Sequence, residues 1–510
     1  MASFKKTPNI DKPFSFAVEP ALPSEEHVPK FMPHVLGTWD MTTTFVVSIY
    51  LASCAATAAA GGPAAITYLL LVCLTFFVPC LIATAQLGHM YPFEGALYNW
   101  THKAIGGFWS FFAGFCAWFP GVLISTSLAD LFVTYLRALN STWLASPWQE
   151  GLVICAILLG AGLLSAWRFR YVQNVINVLV CLMFVGSLLI ALSGVLWLLH
   201  GHPSAINFSH WSDWQIKPDN YVMFGLIAFA YIGTEGPLNL AGEVKGHHVI
   251  KRHLFWGALL IFVTYLTNTF AVLIVLGQQA AITPYSMVIT VNMALGGVFG
   301  YITAACLMCS FIATILVYTY LYARLLFVGG IDHRLPDAAG KLNKHHAPAN
   351  AIFFQTALAI VFTLFMFAIA PLIDIYSSSR DFSTKLYSIS QAAASLVWTI
   401  STAFLFIDLL ACYLRNRRLF RYRRIFPMSI LWVCVIIGPI SCLLTIADTL
   451  FFSWTATIDN HHWWYLVGSL TLIFLIISAI CSMVARSEAE WQQFRKITLD
   501  IQPDDIDTLS

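Results

Sequence analysis

Long apolar runs separated by short polar connections dominate the chain. Twelve stretches approach the roughly 20 predominantly apolar residues that a helix needs to cross a hydrocarbon core. They are residues 36–58, 65–91, 108–136, 150–167, 172–199, 220–242, 253–277, 296–328, 351–372, 388–413, 427–451 and 463–485. This pattern predicts an all-α polytopic membrane protein, with spans numbered 1 to 12 in that order. Residues before Trp39 are polar and proline-bearing, without an early apolar core followed by a small-residue cleavage site, so span 1 itself is expected to direct insertion. The expected organisation is an N-terminal tail (1–35), one membrane domain (36–485) and a C-terminal tail (486–510), because the connections leave no room for a second domain.

Composition agrees with lipid as the solvent: 59% of the 510 residues are hydrophobic and only 10% charged. A net charge of +2 gives no reason to expect nucleic acid as a partner. The distribution of cations says more. Of 27 Lys and Arg residues, 7 lie in the tails, 16 in the connections after even-numbered spans, and 4 (Arg137, Lys217, Arg380, Lys385) after odd-numbered ones. The positive-inside rule then puts both termini in the cytoplasm, in a plasma (inner) membrane, with the Arg415 to Arg424 run read as a topological anchor. All 12 cysteines fall inside apolar spans. Cys306 and Cys309 share a helix face without a second ligand pair, so neither a disulfide nor a zinc site is expected. Histidines sit in tails, connections and span ends, among them His247, His248, His345, His346, His461 and His462, where a solvated imidazole is the simpler reading. No cofactor is implied.

Function is best marked in span 6, where Tyr231-Ile232-Gly233-Thr234-Glu235-Gly236-Pro237 places a carboxylate and helix breakers at membrane depth. Non-helical backbone and charge persist there only where they line a cavity or find a partner. The segment is therefore either a discontinuous helix at a binding site or a proline kink with Glu235 tied to a neighbour. Transporters built on inverted repeats carry one discontinuous helix in each half, so span 1 is the expected counterpart. Its hydroxyl-rich core, Thr42 to Cys54, fits an interruption near Val47 to Tyr50, and equally a continuous helix packed through small residues. The short connection between spans 6 and 7 favours 5+5 helices over 6+6.

Three segments, in this order and spacing, carry a family resemblance. TFFVPCLIATAQLGHMYPFEGALYNWTHKAIGG crosses span 2 and its exit, AFAYIGTEGPLNLAGEVK forms span 6, and ARLLFVGGIDHRLPDAAGKLNKHHAPANA follows span 8. The chain resembles the amino acid-polyamine-organocation (APC) superfamily over nearly all twelve spans, and spans 1 and 2 look closest to its glutamate/GABA antiporter branch. The resemblance implies a LeuT-type fold with discontinuous helices 1 and 6, and alternating access for an amino acid or amine. An antiporter is implied first, with a proton-coupled amino acid or polyamine symporter as the alternative. Val47, Ser48 and Ile49 stand where most relatives have a glycine triplet. With Tyr231, Gly233 and Thr234 they are the implied substrate contacts, Ser48 contributing at a positive helix end. Phe229, Tyr318 and Trp118 match gating aromatics, and Glu235 the proton-coupling position. Span 5 lacks the membrane lysine of some proton-coupled relatives.

The spans contain no HExxH and no GxSxG, which excludes the familiar membrane-enzyme chemistries. With Glu235 read as the single buried acid, no charged ring suggests a channel.

Overall fold

The computed structural model describes residues 21–140, 142–144, 146–282, 285–369, 379–455 and 458–500, and the side chains of Arg380 and Lys385 lie outside the described set. Among the described residues ten helices are long and apolar enough to cross a membrane. They are Ala64–Met90, Gly107–Leu139, Pro147–Ser165, Phe169–Leu199, His248–Val275, Gly297–Ile331, Ala349–Phe367, Ser388–Arg415, Met428–Phe451 and Asn460–Gln492, corresponding to spans 2 to 5 and 7 to 12. Span 1 is a bent pair, Thr38–Ile49 and Ala52–Gly61, with 42° between its halves. Span 6 is a nine-residue helix, Val222–Ala230, and a 3-10 segment, Gly236–Glu243, joined by non-helical backbone.

Spans differ in what surrounds them. The most apolar part of span 3 is 83% buried within the bundle, against 22% for span 12. Span 3 accordingly has Gly, Ser and Thr between its aromatics, which lets neighbours approach closely. Spans 4, 5 and 12 turn Leu, Ile and Val outward, as lipid-facing helices do.

Ordered helices also lie outside the spans. Pro23–Phe31 forms a helix within the N-terminal tail, Ala96–Ile105 lies between spans 2 and 3, and Ser286–Leu295 precedes span 8. The tail helix is strapped to the bundle. The Ser24 amide and hydroxyl donate to Asp332 at 2.9 and 3.0 Å, and Lys103 pairs with Glu25 at 2.8 Å. Leu36 forms a parallel bridge with Val244, its amide donating to the Glu243 carbonyl at 3.0 Å. Residues 22–37 thus close one mouth of the bundle, here called the strap side.

Arg324, counted above with a polar connection, lies inside the Gly297–Ile331 helix and is 2% exposed. Nor is Glu235 the single buried acid: Asp408 and Asp448 are buried in spans 10 and 11. Thr101 donates to Asp408 at 2.7 Å and the Gly225 amide to Asp448 at 2.7 Å. Each acid thus receives a hydrogen bond from a neighbouring segment, though the second oxygen of Asp408 accepts none among the described residues, and the two form no ring.

Candidate functional site

Span 1 breaks at Tyr50 and Leu51, whose extended backbone separates the two helical halves. Residues 47–49 are the last turn of the first half, so they present carbonyls, not amides, and form the negative end of that helix. Three hydroxyls from other spans reach these carbonyls. Thr314 donates to Val47 at 3.1 Å, Tyr318 to Ser48 at 2.7 Å and Tyr265 to Ile49 at 3.0 Å. Tyr265 also accepts from the Leu51 amide at 2.9 Å, so one phenol joins both sides of the break. The Ser48 hydroxyl donates back to Phe45 within its own helix at 2.9 Å. Ser48 therefore does not contribute to a positive helix end. The amides that open the second half belong to Ala52 and Ser53, which have no carbonyl a turn earlier to bond.

Span 6 leaves its helix at Tyr231, and Gly233 adopts φ +107°, a conformation that side-chain-bearing residues rarely take. A Cβ at Gly233 would lie 3.8 Å from Ile49 Cγ1 of span 1, which places the two breaks against each other. Tyr231 stacks on Phe77 with ring centres 4.7 Å apart. Thr234 shares a hydrogen bond with Thr84 of span 2 at 3.0 Å and lies 3.5 Å from Glu235. Glu235 itself is buried at 6% exposure. Opposite helix ends, a carboxylate and polar backbone thus converge midway through the bundle.

Aromatic rings cover this junction. Phe229 lies 6.4 Å from Trp398 and 5.7 Å from Trp454, and Tyr318 meets Trp398 edge-on at 5.9 Å. Trp118 is placed elsewhere: its indole donates to Gln355 at 3.1 Å and its ring stacks on Phe354. Among the described residues it makes no ring contact with Phe229 or Tyr318. A small cavity between spans 3, 4, 8 and 9 adjoins the cluster and is lined by Gly121, Ser125, Tyr318, Tyr322, Gln355 and Thr356. A Cβ at Gly121 would overlap the Tyr322 ring, so that glycine sets where the ring sits.

Sequence reasoning missed Tyr265, Thr314, Asn268 and Trp398. A polar trio on an apolar span, Tyr265, Asn268 and Thr269, was the available signal. Asn268 donates to Tyr50 at 2.6 Å beside the break. In span 5, Gln173 and Asn177 face the first half of span 1. Asn177 accepts from Thr43 at 2.6 Å and donates to Asp40 at 2.9 Å, and Gln173 accepts from Tyr320 at 3.2 Å. They tie the first half of span 1 to spans 5 and 8.

Residues 36–479 match the profile of a family described as amino acid permease. The chain belongs to that family. It is a multi-pass membrane transporter of the APC superfamily and not an enzyme. An uncharacterized transporter of Legionella pneumophila is 25% identical over 59% of this chain and 68% of its own length. A probable polyamine transporter of Arabidopsis thaliana is 27% identical over 37% of each chain. The glutamate/serine transporter AimA of Bacillus subtilis is 26% identical over 36% of each. Among solved structures, MhsT in complex with L-phenylalanine superposes with a TM-score of 0.56 at 13% identity, over 82% of this chain and 99% of that one. A manganese transporter of Eremococcus coleocola gives a TM-score of 0.56 at 12% identity, over 89% and 94%. These likenesses establish the LeuT-type fold.

Proposed function

We propose that the protein carries amino acids across the plasma membrane by alternating access, as an exchanger, with the strap side facing the cytoplasm. The observation that carries the reading is the meeting of two broken helices at Ile49 and Gly233. A zwitterion needs two unlike partners at one place, and this junction supplies them. The carbonyls of Val47, Ser48 and Ile49 suit an ammonium, and the amides of Ala52, Ser53, Gly233 and Thr234 suit a carboxylate. Hydroxyls of Tyr265, Thr314 and Tyr318 now donate to those carbonyls, as an ammonium would. Phe229, Tyr318 and Trp398 are placed to close over the solute. The cation bias of the even-numbered connections supports the orientation. Exchange is supported by the likeness to the glutamate/GABA antiporter branch and by the lysine-free span 5.

A polyamine is the second reading. It is favoured by the carbonyl end, Glu235 and the aromatic faces, which together offer more to cations than to anions, and by the polyamine transporters among the relatives.

Reconstituted protein is expected to take up a labelled amino acid saturably, faster when unlabelled solute is present inside. A competition panel of amino acids and di- and polyamines separates the two readings. Equal uptake into empty vesicles driven by a pH gradient would replace exchange by proton symport, and a sodium requirement would contradict both modes. Glu235→Gln keeps the volume but fixes the group neutral, so this variant is expected to bind solute and show a flattened pH profile of transport. An unchanged profile would leave Glu235 as an acid that only ties span 6 to its neighbours.

A further inference from the structure

Far from the junction, three segments bring two carboxylates to one guanidinium under the strap. Glu94 comes from the connection after span 2, Glu243 from the end of span 6 and Arg324 from span 8. Arg324 Nε lies 3.4 Å from Glu94, and its Nη2 pairs closely with Glu243. All three side chains are at most 2% exposed. The remaining faces of Arg324 are occupied by Met32 Sδ at 3.5 Å and the Phe169 ring at 5.6 Å, so no second cation reaches it there. Glu94 presses against Gly242, where a Cβ would lie 2.6 Å from Oε2, and neither of its oxygens receives a hydrogen bond among the described residues.

The other charged groups around the cluster are committed elsewhere. Glu25 of the strap pairs with Lys103, Asp40 of span 1 with Arg170, and Asp332 of span 8 accepts from Ser24 and Tyr98. Among the described residues, His34 of the strap is a further titratable group acting on Glu243, and Tyr320 the neighbouring phenol on span 8. Both carboxylates ionised would leave a net negative charge in a dry enclosure, which burial strongly disfavours. One proton removes it.

We propose that closing the strap-side mouth takes up one proton, held by Glu94 beside the Glu243–Arg324 pair, and that opening the mouth releases it to the same side. Uptake and release on one side drive no solute uphill; they set how readily the mouth opens at a given pH, separately from Glu235. Burial raises the Glu94 pKa above the ordinary glutamate range, Arg324 opposing and Glu243 adding to the rise. Its pKa is thus higher closed than open, so closure is favoured at low pH and the advantage is lost as pH rises through the closed-state value.

The test is hydrogen exchange of strap amides 22–37 in the full-length protein between about pH 6 and about pH 9, corrected for intrinsic rates. Wild-type protection is expected to fall with rising pH by up to about tenfold per unit. Glu94→Gln should stay protected with no such slope. Glu25→Gln, which loosens the strap without touching the cluster, should lower protection at every pH and keep the slope. Should Glu94→Gln not fold, Glu243→Gln carries the test, because one acid opposite Arg324 needs no proton and its slope should vanish. A flat wild-type profile, or the wild-type slope in Glu94→Gln or Glu243→Gln, overturns the proposal.

Discussion

Arg324→Met is expected to destabilise the protein by about 3–5 kcal/mol, the usual cost of removing one partner from a buried ion cluster. Methionine fills much of the same volume, so the loss reports on charge. Glu94 and Glu243 would face each other at 1% exposure with no cation, and protonation of one or both would become a condition of folding. Unfolding followed by intrinsic tryptophan fluorescence in detergent would measure the loss. Adding Glu94→Gln and Glu243→Gln to Arg324→Met should recover most of it, since an uncharged set of similar size is often as stable as the ion cluster it replaces. Destabilisation below about 1 kcal/mol in the single variant would mean that the cluster is hydrated, as exposed pairs are.

Tyr318→Ala and Phe229→Ala are expected to abolish most transport while leaving insertion intact. Tyr318→Ala removes the donor to the Ser48 carbonyl and one wall of the ring cluster. An unsatisfied buried carbonyl costs about 1–3 kcal/mol, and each 1.36 kcal/mol added to a rate-limiting barrier slows it about tenfold. Phe229→Ala removes the ring that links Trp398 and Trp454. Pure core truncation of a Phe costs about 3–5 kcal/mol in stability, so uptake must be normalised to folded protein. Transport per folded molecule that stays at the wild-type level would reduce both aromatics to packing. Trp118→Phe offers a contrast: it breaks only the bond to Gln355 and keeps a ring, so a smaller loss is expected.

Hydropathy alone located the membrane segments, because transfer of a side chain into lipid is a local property that sums along a helix. The break in span 6 was equally legible, since Gly233, Gly236 and Pro237 oppose helix through their own backbones and Glu235 needs a polar surrounding wherever it sits. The break in span 1 was legible only as a hydroxyl-rich stretch. Whether residues 47–49 present amides or carbonyls depends on which side of the bend they fall, and the bend at Tyr50 and Leu51 is held by Tyr265, more than two hundred residues away. Asp408 and Asp448 passed unnoticed inside apolar runs because Thr101 and Gly225, from other segments, supply their hydrogen bonds. Arg324 read as one more loop cation, and nothing in the sequence singled out Glu94. Only tertiary packing made them a desolvated cluster, because the charge balance of a buried site is a property of all the segments that enclose it and of none of them singly.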